Sequence, residues 1–346
     1  MKHPFFYLAL LLLQLLTMLS VLARDTKQTP QDKPKTTRAG SIAKTDYDLT
    51  PLGYFGGTCT RVFVDNNRLF VTTTNGLLIF DISEPSSPTL KGRYKTPDRA
   101  QGISVSDDIA YIATASSGLL IIDVKKLEKP VFLSAYDTPG TAYNVYVNGS
   151  TVYIADGESG LQIIDVSNPS APRLQGSYNT PGSAQDVFVK DDIAYVADGT
   201  SGLQIIDVHD PQLPRLISNY DTDRFATGLC VTDGTAFVAD GEFGGLQIID
   251  VSRQNKPRYI SSYNTRGQAA GVCVVKNVAY VADGYGGLQI IGVTNVRNPV
   301  LLASYDTTGA VLSVCIAENP VVSKANLMAY LADGEGGFQI LAVDSP

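Results

Sequence analysis

One heptapeptide recurs along the chain in step. Gly-Leu-Gln-Ile-Ile-Asp-Val stands at Gly160–Val166, Gly202–Val208 and Gly245–Val251, and close variants stand at Gly76–Ile82, Gly118–Val124, Gly287–Val293 and Gly337–Val343. Its sixth position, Asp81, Asp123, Asp165, Asp207, Asp250, then Gly292 and Ala342, advances by 42, 42, 42, 43, 42 and 50 residues. Self-similarity at a fixed period of this length means stacked supersecondary units, each unable to bury its apolar faces alone. Only the last interval is out of step. Its excess sits around Glu318–Asn326, read as a longer loop between two strands of one unit.

Within the unit Ala184–Tyr220 the pattern predicts four short strands, Gln185–Val189, Ile193–Ala197, Leu203–Val208 and Arg215–Tyr220. The residues between them are rich in the Gly, Asp and Pro that tight turns demand. Four strands in about 42 residues is the arithmetic of a propeller blade. Apolar runs such as Leu203-Gln204-Ile205-Ile206 fit sheets covered on both faces. The fourth strand begins at Pro88, Pro130, Pro172, Pro214, Pro257 or Pro299, a position where an edge strand tolerates proline. The last unit reaches Asp344-Ser345-Pro346 directly after its third strand, while Pro51-Leu52-Gly53-Tyr54-Phe55 is a shortened relative of Pro172–Tyr178. The N-terminal segment is therefore expected to complete the last blade. The expected fold is all-β, a seven-bladed β-propeller over residues 47–346 of about 42-residue four-stranded repeats, its ring closed by the N-terminal strand pairing into the last blade.

Leu119-Leu120-Ile121-Ile122-Asp123 and its equivalents resemble the namesake motif of the LVIVD-repeat propellers, over about residues 50–346. This chain favours Leu-Gln-Ile-Ile-Asp and departs from the motif at Gly292 and Ala342. The resemblance implies a secreted or surface propeller of a bacterium or archaeon. It lends the fold more than a function.

Upstream of the repeats, residues 1–23 combine Lys2, an apolar run from Phe5 to Leu22 and small residues at the end, which reads as a secretory signal peptide cleaved after Ala23. An uncleaved anchor is the alternative, since about 18 apolar residues nearly span a bilayer. Residues 24–46 are polar, with six basic against three acidic side chains, and are expected to form a disordered linker. The remainder carries 20 basic and 31 acidic residues, net −11. This balance argues against nucleic acid as a partner. Export to the cell exterior, the periplasm or the cell surface is expected, without membrane insertion once the leader is gone, and as a monomer.

Chemistry-bearing residues are few. His209 is the one imidazole after the leader, so a multi-histidine zinc site is excluded and a Ser-His-Asp site would depend on it. Asp-Gly recurs at Asp156, Asp198, Asp240, Asp283 and Asp333, and neighbours Glu158, Glu242 and Glu335 admit a calcium reading. Hairpin chemistry, with the carboxylate accepting N–H bonds and glycine supplying positive φ, accounts for the motif more simply. Cys230, Cys273 and Cys315 fall at one position of three successive first strands, so they read as small apolar fillers rather than disulfides. Where other units carry Pro-Gly between blades, the chain has Asp98-Arg99, Asp223-Arg224 and Arg266-Gly267. Arg99, Arg224 and Arg266, with Asn144 and Asp186 early on first strands, form the candidate set for an anionic or zwitterionic ligand at the channel mouth. On the opposite face Lys125, Lys126, Lys129, Arg173, Arg215, Arg253, Lys256, Arg258 and Arg297 are expected to make a basic surface for a protein or an anionic surface polymer. These features favour a non-enzymatic binding module. The alternative is a lactonase-like hydrolase with a metal in the funnel, by fold analogy alone.

Overall fold

The computed structural model describes residues 47–318 and 327–344. The expected leader and linker (1–46) and the long loop of the last unit (319–326) lie outside them. The described residues form seven four-stranded antiparallel sheets and one two-stranded ribbon. In blade 4 the strands are Asp186–Lys190, Ile193–Ala197, Leu203–Asp207 and Arg215–Tyr220, each within one residue of the sequence expectation. The first strands, Arg61–Asp65, Ala100–Ser106, Asn144–Asn148, Asp186–Lys190, Gly228–Thr232, Gly271–Val275 and Ser313–Ala317, neighbour one another in turn, and the last neighbours the first. The ring is closed.

Closure falls where the two ends of the repeat region meet. In the seventh sheet Asp48–Phe55 pairs antiparallel with Phe338–Asp344, followed by Leu327–Ala332 and Ser313–Ala317. The fourth strand of this blade thus comes from the beginning of the chain. Its register shifts between Pro51 and Gly53, a bulge beside the one residue with no N–H to give to the ladder. Phe55 meets Phe80 of blade 1 edge-on at 4.9 Å and stacks on Phe338 at 6.0 Å, while Phe80 meets Phe338 at 4.8 Å. Three rings from three distant segments seal the junction of blades 7 and 1.

The core is divided among the interfaces between blades. Tyr153, Ala155, Leu161 and Ile163 of blade 3 pack against Val187, Val189, Ala194 and Val196 of blade 4, and analogous clusters fill the other interfaces. A third strand lies between two such clusters, which is why Leu161–Ile164 is buried at every residue instead of alternating. Towards the rim, the fourth residue of the outer strand approaches the loop of the next blade in blades 1 to 5. Ser134 and Ser261 donate there to the carbonyls of Pro169 and Val296 at 2.5 Å. At Gly176, in the same position, the Pro211 carbonyl comes close enough to meet an added Cβ.

Candidate functional site

The upper face carries the turns between second and third strands and the connections from one blade to the next. In most blades the connection is latched to the turn of the blade it enters. The Thr138 hydroxyl donates to Asp156 Oδ1 at 2.6 Å and the Gly140 N–H donates to Asp156 Oδ2 at 2.9 Å. Thr180 and Gly182 hold Asp198 in the same way, Thr265 and Gly267 hold Asp283, and Thr307 and Gly309 hold Asp333. All of these aspartates are fully buried. Burial pushes the carboxyls of Asp156, Asp198 and Asp283 up from the ordinary carboxylate range, against the opposing pull of their hydroxyl and amide donors. The glycine after each aspartate does take positive φ, from 54° to 61°, as expected, but the carboxylate reaches across to another segment rather than capping its own turn. The motif glutamine adds a further tie, Gln162 Nε2 donating to the Ser159 carbonyl at 2.9 Å.

The glycine of the connection is sterically required. A Cβ at Gly140, Gly182, Gly267 or Gly309 would run into the carbonyl oxygen of the latched aspartate. Gly182→Ala should therefore lower stability by about 1–3 kcal/mol, read as a shift of the urea midpoint at unchanged slope. Blade 2 inverts the arrangement. Thr114 stands where the turn aspartate would be, and Asp98 stands at the glycine position. The Asp98 carboxylate accepts the Ser116 N–H at 2.7 Å and the Ser116 hydroxyl at 2.5 Å, and these donors hold it below the ordinary range. The anion has changed sides while the latch persists.

Blade 5 is the exception. Arg224 occupies the glycine position and Asp223 the proline position, with Asp223 at φ 67°. Thr222 still donates to Asp240 Oδ1 at 2.6 Å, but Asp240 Oδ2 has no partner. Burial pushes the Asp240 carboxyl up to about 7, the carboxylates of Asp223 and Asp221 adding to this and the Arg224 charge opposing it. This blade also holds the 43-residue interval, with Phe243 at φ 65° in the enlarged turn. Gly241–Glu242 there pairs with Gln268–Ala269 as a short ribbon, where other turns make single bridges such as Gly199 to Ala226.

The candidate ligand residues divide into two groups. Asn144 and Asp186 begin the first strands of blades 3 and 4 and are both buried. The Asn144 amide donates to Asp186 Oδ1, and the other Asp186 oxygen accepts the Leu229 N–H at 3.1 Å, so one carboxylate ties three blades at the channel mouth. The Asn144 carbonyl oxygen has no partner. Arg99, Arg224 and Arg266 are exposed, and among the described residues no ion pair or side-chain hydrogen bond joins them to this pair or to one another. Phe225, Phe243 and Tyr285, which sequence reading did not single out, are exposed around Arg224 and Arg266 in the turns and connections of blades 5 and 6. Their signal was present: each departs from the small or polar residues at the equivalent places of other units.

The four cysteines are free. Cys230, Cys273 and Cys315 sit on adjacent first strands, and burial raises all three thiols, Cys273 to about 12. They are poor nucleophiles at neutral pH. His209 lies on the lower side, exposed, with Nδ1 3.3 Å from Asp192 Oδ2. Asp81, Asp123, Asp165, Asp207 and Asp250, each ending a third strand, cap the turns that follow, for example Asp165 accepting the Ser167 N–H at 2.8 Å. Beyond them the outer strands begin with Arg173-Leu174, Arg215-Leu216 and Arg258-Tyr259, six exposed residues at matched positions of three successive blades.

Seven four-stranded blades around an axis, clasped by a strand from the other end of the chain, define a seven-bladed β-propeller. The LVIVD repeat model matches residues 56–96, 98–138, 139–180, 181–222, 223–265 and 266–307, and the chain belongs to that family. The seventh unit escapes the match but forms a blade nonetheless. No curated protein matches the sequence. Among solved structures, the chain is similar to the RRP9 WD40 repeats, at 9% identity over 86% of this chain and 97% of that one, TM-score 0.68. It is also similar to the Cps50 (Swd1) β-propeller domain of Myceliophteria thermophila, at 13% identity over 85% and 99%, TM-score 0.67. The computationally designed Ika8 protein matches at 9% identity over 84% and 98%, TM-score 0.62. At these identities the likeness is one of fold.

Proposed function

We propose that this propeller is an exported, non-enzymatic binding module that acts as a scaffold for a protein or an anionic surface polymer. The carrying observation is the ladder at the lower rim. Arg173, Arg215 and Arg258 recur at one position of three adjacent blades, each beside an exposed apolar or aromatic side chain. A repeated cation with a repeated apolar neighbour suits an extended partner whose charges also repeat. At the channel mouth Asn144 and Asp186 are engaged with each other and with backbone, which supports a binding over a catalytic reading.

The likeness to the RRP9 WD40 repeats and to the Cps50 (Swd1) β-propeller domain supports the fold on which this reading is built. Crosslinking in native cells, followed by recovery of the tagged protein, should yield a stoichiometric protein or polymer partner. Replacing Arg215 and Arg258 by Glu should weaken binding to purified anionic cell-surface polymer at least tenfold at low salt, with the loss shrinking as salt rises. Unchanged binding by the charge-reversed protein would remove the polymer from the proposal.

A further inference from the structure

The repeat provides its own control: a feature the architecture needs occurs in most blades, so coordinated departures at one place call for another cause. On the upper face they gather in blades 5 and 6. Arg224 replaces a glycine whose position has no room for a Cβ in four other connections, and the latch loses its second hydrogen bond. Asp223 takes a positive φ in place of a proline. The turn of blade 5 gains a residue and exposes Phe243 at 72%, and the turn of blade 6 exposes Tyr285 at 89%. Phe225, beside Arg224, is exposed at 40%. Such local costs persist where they serve a function.

What the departures add, relative to the equivalent residues elsewhere, is three aromatic rings and two arginines without an ion pair among the described residues, against one new carboxylate, Asp223. The other acidic residues nearby, Asp221 and Glu242, belong to the common pattern, having counterparts in Asp137 or Asp306 and in Glu158 or Glu335. Exposed rings with guanidinium groups between them match carboxylates interspersed with apolar side chains, because arginine grips a carboxylate in two parallel bonds and the rings supply apolar area at small entropic cost. We infer that the sector formed by Arg224, Phe225, Phe243, Arg266 and Tyr285 is a docking site for an acidic, apolar-rich segment of a partner protein. The inference rests on the reading of the propeller as a binding module and narrows it to one face and one partner chemistry.

The test uses the full chain and three synthetic probes, a twelve-residue peptide alternating Glu and Phe, its Lys and Phe counterpart, and a Glu and Ser counterpart. The Glu/Phe peptide should bind saturably and at least tenfold more tightly than either control. Arg224→Glu together with Arg266→Glu should weaken that binding at least tenfold, as should Phe243→Ala with Tyr285→Ala, while Arg93→Glu, at an exposed residue of the first blade, should leave it unchanged. Arg224→Gly removes the possibility that a variant loses binding by unfolding. It should raise the melting temperature by about 2 °C or more while weakening the peptide.

Equal binding of all three probes, or of wild type and the Arg224 and Phe243 variants, overturns the docking site. A stoichiometric crosslinked partner whose recovery ignores these substitutions does so too, while leaving the scaffold reading intact. Absence of any crosslinked partner, with the Glu/Phe peptide still bound at this sector, would instead count against the scaffold reading and for a small docking function.

Discussion

A chain shortened to begin at Gly56 should fail to give a soluble monomer, while one beginning at Thr45 should melt as the full chain does. The difference is a single strand. Asp48–Phe55 covers the whole length of Phe338–Asp344, whose residues are buried from Phe338 to Val343. Without it the row of N–H and C=O groups on that strand faces water, and Phe-Gln-Ile-Leu-Ala-Val becomes an uncharged apolar edge open to pairing with another chain. Leu49, Leu52 and Phe55 leave the adjoining clusters at the same time. A smaller version of the same experiment is Phe55→Ala. It opens the three-ring contact and should cost about 3–4 kcal/mol, measured by urea unfolding. Adding a synthetic peptide of residues 45–57 should restore monomeric behaviour to the short chain. A Gly56 chain that is monomeric and melts normally on its own would show that the clasp is dispensable.

That clasp was legible because the two ends of the sequence each lack what the other has, and a ring makes them neighbours. The blades were legible for a related reason. Each unit repeats the same turn chemistry and the same doubly buried third strand, so seven weak local signals reinforce one another. The latch was half legible. Every connection carries a threonine, and Thr138, Thr180, Thr222 and Thr265 each lie 18 residues before their aspartate. The Asp-Gly pairs look like local hairpin chemistry when taken alone, and only the constant spacing to the threonine shows a partner across the connection. The pairing of Asn144 with Asp186 follows from period, since residues 42 apart occupy matched places on adjacent blades. What period leaves open is the direction in which a side chain leaves a connection. Arg99, Arg224 and Arg266 could be assigned to the upper face from topology, but whether they met Asn144 and Asp186 depended on rotamers and on the Arg224 Cβ displacing its backbone.

Asp240→Asn should make the protein more stable at pH 8 and have a smaller effect at pH 5, the reverse of what a latch residue would ordinarily do. At Asp198 both carboxylate oxygens have donors, Thr180 and Gly182, so an amide there would set N–H against N–H or against the hydroxyl and Asp198→Asn should destabilise by about 1–3 kcal/mol. Asp240 lacks the second donor, and burial lifts its carboxyl to about 7 from an unfolded value of 3.8. The folded chain therefore holds a proton that the unfolded chain gives up between those two values. Stability from this group is fully present below about pH 4 and declines as pH rises towards about 7, because the unfolded state binds fewer protons across that window. Three units correspond to an upper bound of about 4 kcal/mol. The asparagine cannot ionise, so its advantage over wild type should grow by roughly 2 kcal/mol between pH 5 and pH 8. The carboxyls of Asp81, Asp98, Asp165 and Asp250 are held low by their donors and give stability of the opposite pH sense. They are common to both proteins, so the difference between the two urea-unfolding profiles isolates Asp240. A flat difference across this range would mean that the unpaired oxygen finds water or a donor in solution. Arg224→Gly should flatten it as well, by returning an N–H to Oδ2 and bringing the carboxyl back towards its counterparts. The two substitutions therefore report on the same displaced connection from its two sides, one by removing the charge and the other by restoring the bond.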